Sequence, residues 1–316
     1  MTIGAWLRMT SAGDTYRFPD SSQSYNAHID KIGIVYPING GELQDDASWL
    51  QISGAVNRPF PQSLHALAQS HGQLYIPSVK NRSVAFLQTV LDSPSLQQTA
   101  ADNLVTLATT RFDAPWDGVM LDFEGLSTGY TTKLSDFYTL LASELHAANL
   151  LMYVWAQGKT DDGNSAQDLE VIGSVADVFS HGIYGYSSAW PKPYSLGPNW
   201  WARECQDYAL TKGISASKIR LCVAQYCLYR VAGGPTYGNE LTHRQARELS
   251  GCPCMITNHP NGNIYEKLAT SSSGGYCWIH DADTFVYELN ILNDYGLGGI
   301  DMFSIGSEDE AFWRLI

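Results

Sequence analysis

With 316 residues, 44% hydrophobic and 16% charged, the chain can bury a large core, either as one big α/β domain or as two ordinary ones. A formal net charge of −13 and a pI near 4.9 argue against nucleic acid and anionic membrane as partners, and favour a neutral or zwitterionic polymer. No apolar run reaches the roughly 20 residues that span a bilayer. The opening MTIGAWLRM lacks the basic n-region and long h-region of a secretory signal.

In chain order, eight apolar runs read as strands: Ile3–Leu7, Ile32–Tyr36, Leu74–Val79, Gly118–Phe123, Leu150–Trp155, Val178–Tyr184, Ile219–Ala224 and Gly299–Phe303. Amphipathic stretches fall between them, among them Ser95–Thr110, Leu134–Ala148, Trp200–Thr211 and Asp283–Tyr295. Ser93 before Pro94, Ser135 with Asp136, and Asp281 with Asp283 are the expected helix starts. Eight strand–helix units in this length predict a (β/α)8 TIM barrel, which takes about 250 residues plus insertions. The alternative, a doubly wound open sheet, would carry a glycine-rich phosphate turn, and the GGE at 40–42 and GGP at 233–235 lack that spacing. The gap before the eighth strand is too long for one helix. It predicts a small α+β lobe over 228–280, containing a Thr242-capped helix, inserted in a single domain of 1–316. The six cysteines form no CxxC, and the CPC at 252–254 has no partner pair at zinc spacing, so neither metal nor cofactor is expected. One disulfide among Cys252, Cys254 and Cys277 stays open.

The chemistry concentrates in WDGVMLDFEGL, Trp116 to Leu126. Asp122 and Glu124 end the fourth strand two residues apart, and therefore share one face beside apolar surface. Burying unpaired charge costs several kcal/mol, so the pair calls for a reason. In a TIM barrel, catalytic groups stand at this end of the strands. Desolvation and like-charge repulsion make Glu124 a candidate general acid with Asp122 ionised beside it.

Asp117, Asp122 and Glu124 match three of the four acids of DxxDxDxE, read here as D-G-V-M-L-D-F-E. With LYIPSVKN, HGIYGYSS, WIHDADTF and LGGIDMFSIGSEDEAFW in order, the sequence resembles the family 18 glycoside hydrolases over nearly its whole length. The branch it resembles includes spore-cortex and cell-wall lytic N-acetylglucosaminidases. The resemblance implies retaining, substrate-assisted hydrolysis of β-1,4 bonds in an N-acetylglucosamine-containing glycan of chitin or peptidoglycan type. In that scheme the substrate's 2-acetamido oxygen attacks C1, Asp122 orients the acetamido group, and Glu124 protonates the leaving oxygen and then activates water. Tyr184 would hydrogen-bond the acetamido oxygen, Phe303 would floor the sugar site and Tyr226 would wall it. Trp155, Trp6, Tyr36, Trp190 and Asn81 are further glycan-contact candidates, each equally readable as packing. A monomer, acting outside the cell or at a cell wall, is the expectation that follows from this substrate class.

The sequence departs from the family pattern at four places: Met120 for the inner acid, Gly185 for the Asp after the strand-six Tyr, Phe303 for Trp, and His280 for a Glu. In family members with every acid, the inner Asp can share a proton with the middle one. Met120 cannot, which predicts that Asp122 faces Glu124 without substrate. Two other readings stay open: a chitinase-like carbohydrate-binding protein without turnover, and an unrelated TIM-barrel enzyme using Glu124 as a base.

Overall fold

The computed structural model describes residues 1–7, 21–38, 40–50, 60–111, 114–163, 165–186, 196–230, 239–250, 255–256, 267–270 and 276–316. Trp190, Cys252 and Cys254 lie outside them. Eight parallel strands form the barrel: β1 (Thr2–Leu7), β2 (Ile34–Pro37), β3 in two pieces (Leu74–Tyr75 and Ser78–Asn81), β4 (Gly118–Asp122), β5 (Leu151–Gln157), β6 (Val178–Gly182), β7 (Ile219–Ala224) and β8 (Gly299–Phe303). Each pairs with its sequence neighbours, and β8 returns to pair with β1.

The third strand closes the ring although it is broken where one continuous run was expected. Pro77 has no N–H to give to a ladder. The two pieces therefore serve different neighbours: Leu74–Tyr75 pairs with β2, and Ser78–Asn81 with β4. Ile76 N–H donates to Val35 O at 2.9 Å, and Pro77 O accepts from Met120 N–H at 3.0 Å, so the break is bridged on both sides. A short hairpin, Gly41–Leu43 with Trp49–Leu50, pairs with Ser78–Asn81 on the edge away from β4.

Alternation along the strands sorts the core into two shells. Val35, Val79, Leu121, Val154, Leu221 and Ile300 point outward under the helices, while Trp6, Tyr36, Ile76, Met120, Tyr153 and Cys222 fill the barrel. Each such apolar side chain contributes about 1.5–3 kcal/mol by leaving water. One charged cluster is sealed inside. Asp301 of β8, 0% exposed, accepts from Arg220 Nε at 2.6 Å, Ser180 Oγ at 2.6 Å and Tyr36 Oη at 3.1 Å. Gly4 faces it because a Cβ there would collide with Asp301 Oδ1 and the Tyr36 ring.

Two helix starts follow the sequence reading. Ser93 caps Pro94–Thr110, accepting from Leu96 N–H, and Asp281 caps Ala282–Tyr295, accepting from Thr284 N–H. The third does not. The helix begins at Thr131, extending a 3-10 turn over Thr128–Tyr130, so Ser135 and Asp136 lie inside it and cap nothing.

Between β7 and β8 lies an antiparallel sheet ordered Asn239–Leu241, Cys227–Arg230, Tyr276–Ile279, Lys267–Thr270, Met255–Ile256. The helix His243–Ser250 starts with a capping box: Thr242 Oγ1 accepts from Gln245 N–H at 3.1 Å, and Gln245 Oε1 accepts from Thr242 N–H at 2.9 Å. Cys277 carries a free thiol, which donates to Trp278 O at 3.7 Å.

Candidate active site

Asp122 is the last residue of β4, and Glu124 stands just beyond it at the barrel's C-terminal mouth. Between them Phe123 turns outward and stacks on Phe137 and Tyr138, with ring centroids 5.9 and 6.0 Å away. That anchor fixes the two acids facing in. Gly125, at φ +83°, then turns the chain away, in a backbone conformation that favours glycine. Asp122 and Glu124 lie close enough on this face for each to act on the other's proton affinity. One oxygen of Asp122, Oδ1, is buried without a partner.

Burial raises the proton affinity of both acids. For Asp122 it is the largest cause, and the neighbouring Glu124 charge adds to it. Glu124 is raised first by burial as well, and a nearby Lys80 opposes the rise at both acids. Glu124 is the more open of the two, so burial acts on Asp122 at greater depth. Two interacting acids of this kind titrate as a unit and hold one proton between them.

Three side chains not assigned a supporting role by the sequence secure this arrangement. Asn81, expected as a glycan contact, makes a reciprocal clamp on Glu124's backbone: its Oδ1 accepts from Glu124 N–H at 2.9 Å, and its Nδ2 donates to Glu124 O at 3.2 Å. Gln167 Nε2 donates to Phe123 O at 3.1 Å and to Trp155 O at 3.2 Å, tying the ends of β4 and β5. Lys80 is paired in register with Asp122 across the β3–β4 ladder. Register partners on parallel strands share a face, so the parity of PSVKN against GVMLD could have revealed Lys80 once the pairing was known.

Around the pair stands an aromatic wall. Tyr184, just past β6, stacks on Phe303 at 5.4 Å and 14°, with Trp155 at 6.1 Å and Tyr226 edge-on at 6.3 Å. The Tyr184 hydroxyl lies 3.9 Å from the Cys222 thiol, and burial is the main cause of its raised pKa, with the Asp122 charge contributing. Trp6 and Tyr36 are placed lower. Trp6 is packed against Tyr36 and Phe303, and Tyr36 donates to Asp301, so both belong to the barrel's filling rather than its mouth. Asp117 sits at the opposite end, where its Oδ2 accepts from Tyr75 N–H at 2.7 Å and pins β3 against β4.

The departures have structural counterparts. Met120 is fully buried between Ser78 and Tyr153 in the ladder. Gly185 has φ +100°, and a Cβ there would come within 2.5 Å of Gln157 Nε2. A carboxamide from β5 thus occupies the space beside position 185. His280 meets a carboxylate from the last helix, its Nε2 lying 2.9 Å from Glu288 Oε1. Among the described residues, no group of three or more His, Cys, Asp or Glu could hold a metal ion, and no helix is long and apolar enough to cross a membrane.

No family model matches the sequence. A curated relative, the uncharacterized glycosylase YvbX of Bacillus subtilis, is 21% identical over 246 residues, which is 72% of this chain and 67% of that protein. Solved structures align over almost the entire chain. A class V chitinase from Pseudomonas fluorescens Pf-5 superposes with a TM-score of 0.82 at 19% identity, covering 99% of this chain and 97% of that one. The spore cortex-lytic enzyme SleL of Bacillus megaterium gives 0.81 at 18%, covering 99% and 72%. The chain has the fold of these glycan-cleaving enzymes. It is the TIM barrel that the eight apolar runs foretold.

Proposed function

We propose that this chain is a retaining glycosidase that cleaves β-1,4 bonds next to N-acetylglucosamine, using the substrate's own acetamido group as nucleophile. The observation that carries the reading is the placement of Asp122 and Glu124 on one face at the mouth end of β4. Two acids on one face of one strand lie on the same side of a bound sugar. One can protonate the leaving oxygen, but its neighbour cannot attack from the opposite face. A nucleophile internal to the substrate resolves this geometry. The chitinases and cortex-lytic enzyme that share the fold support it, as does the relative described as a glycosylase.

In this scheme the acetamido oxygen closes on C1 as the glycosidic C1–O bond breaks, and Glu124 gives its proton to the departing oxygen. Asp122 takes the acetamido N–H and balances the positive charge of the cyclic intermediate. Its partnerless Oδ1 is suited to that contact. The Tyr184 hydroxyl, whose proton is held tightly, donates to the acetamido oxygen. Glu124 then takes a proton from water, which opens the ring at C1 and restores the configuration. Phe303 and Trp155 offer apolar faces to the sugar, and Tyr226 closes the side.

Hydrolysis of N-acetylglucosamine oligomers by wild type and Glu124→Gln tests this. Loss of turnover with retained binding in the variant supports it, and equal, negligible turnover in both overturns it. The latter outcome would favour a sugar-binding protein without turnover, the reading that Met120 and Gly185 keep open. Parallel digestion of purified chitin and peptidoglycan, read by product mass, assigns the polymer and the cleavage mode.

A further inference from the structure

Among the described residues, a lysine faces the acid pair across the sheet, on a strand that the proposed mechanism does not use. Glu42, Lys80 and Asp122 stand in register on three adjacent strands, and therefore in one row on the inner face. The Lys80 Nζ lies 3.5 Å from Glu42 Oε1, with the lysine side chain 39% exposed and the glutamate 18%. The next basic residue, Arg82, turns away and donates to Gln44 Oε1 at 3.1 Å. The row thus alternates in sign, and Glu124 extends it at the mouth.

We propose that Lys80 is a positioning residue for the acid pair: its ammonium, set between Glu42 and Asp122, holds the pair at one proton and one negative charge. The inference rests on the glycosidase reading and deepens it. In that state the proton can pass between Asp122 and Glu124, leaving Asp122 as the carboxylate when the acetamido group arrives. Without the ammonium, burial and mutual repulsion favour protonating both acids, and a neutral Asp122 cannot balance a cationic intermediate. Met120 makes this necessary. A thioether inside the barrel cannot share a proton with Asp122, so the charge control comes sideways from β3 instead of from below on β4.

The groups that face the pair set the direction of every effect. They are Lys80 with Glu42 behind it from the β3 side, Tyr184 beyond β6, and Tyr138 from the helix Thr131–Ala147. Only Lys80 among these is cationic. Both tyrosines keep their protons, so neither competes for the charge.

The test is the pH profile of kcat/KM on a fluorogenic N-acetylglucosamine oligomer for wild type, Lys80→Met, Lys80→Arg and Glu42→Gln. Lys80→Met should move both limbs upward by roughly one pH unit, the size expected from losing one nearby unit charge. Lys80→Arg should keep the limbs near their wild-type positions. Glu42→Gln removes the charge that competes for the ammonium and should move them down. A purely structural lysine would lower kcat or stability in Lys80→Met while leaving the limbs unmoved, and that result overturns the inference. Carboxyl titration by carbon NMR reads the same shifts without turnover. An inactive wild type with the shifts present refutes the glycosidase reading alone, whereas an active wild type with unmoved limbs refutes the role of Lys80 alone. Should Lys80→Met fail to fold, the downward shift in Glu42→Gln decides, and its absence counts against the proposal.

Discussion

Replacing Asn81 with alanine removes both hydrogen bonds that hold Glu124's backbone, and with them the support that fixes where the proton donor stands. A hydrogen bond of this kind contributes about 0.5–1.5 kcal/mol net. Both are partly open to water, so the lower half of that range applies and the pair together supplies about 1–2 kcal/mol. If the lost order is expressed in the transition state, the rate falls about 5- to 30-fold. The loss should fall on kcat, with KM nearly unchanged, because the amide spends its donor and its acceptor on backbone and not on sugar. Steady-state kinetics of Asn81→Ala on an N-acetylglucosamine oligomer, with a thermal melt beside it, measures this. A rise in KM at constant kcat would refute the reasoning and return Asn81 to the glycan-contact role that the sequence suggested.

Other expectations follow from buried charge and backbone geometry. Arg220→Met should destabilise the barrel by about 3–5 kcal/mol in urea denaturation, because it strands the fully buried Asp301 without its cation. His181, buried beside Gln206, has its pKa lowered by burial to about 4, whereas an unfolded histidine titrates near 6.5. Above pH 6.5 neither state binds this proton. As pH falls from 6.5 toward 4, only the unfolded chain takes it up, so stability drops by about 3 kcal/mol across that window. His181→Gln should flatten this part of the stability curve, as measured by urea midpoints at pH 7.5 and 4.5. Gly185→Ala should cost about 1–3 kcal/mol, since a side chain is forced to φ +100° and against Gln157.

The barrel was legible because strands buried on both faces leave continuous apolar runs, and all eight runs became strands. What blurred was local. Pro77 split one run, and the helix after β4 began a turn ahead of Ser135 because the 3-10 segment at Thr128 feeds directly into it. The acid pair was visible from strand parity alone. Its support was not. Lys80 becomes meaningful only through the β3–β4 register, Asn81 through the approach of two loop ends, and Gln167 through a reach of 44 residues back to Phe123. Aromatic residues were the hardest to sort. Trp6 and Trp155 both fall near strand ends and both are buried in the inner cluster, yet Trp6 packs on Tyr36 and Phe303 and Trp155 on Tyr184, a difference of neighbours that composition does not encode.

The claim at the centre of this account is that the substrate brings the nucleophile while Asp122 and Glu124 act from one side. The anomeric configuration of the first product released from an N-acetylglucosamine oligomer, followed by proton NMR before mutarotation, tests it most directly. The account predicts the β-anomer, formed by two displacements at C1. An α-anomer would contradict it, because inversion needs a water activated from the face that this acid pair cannot reach.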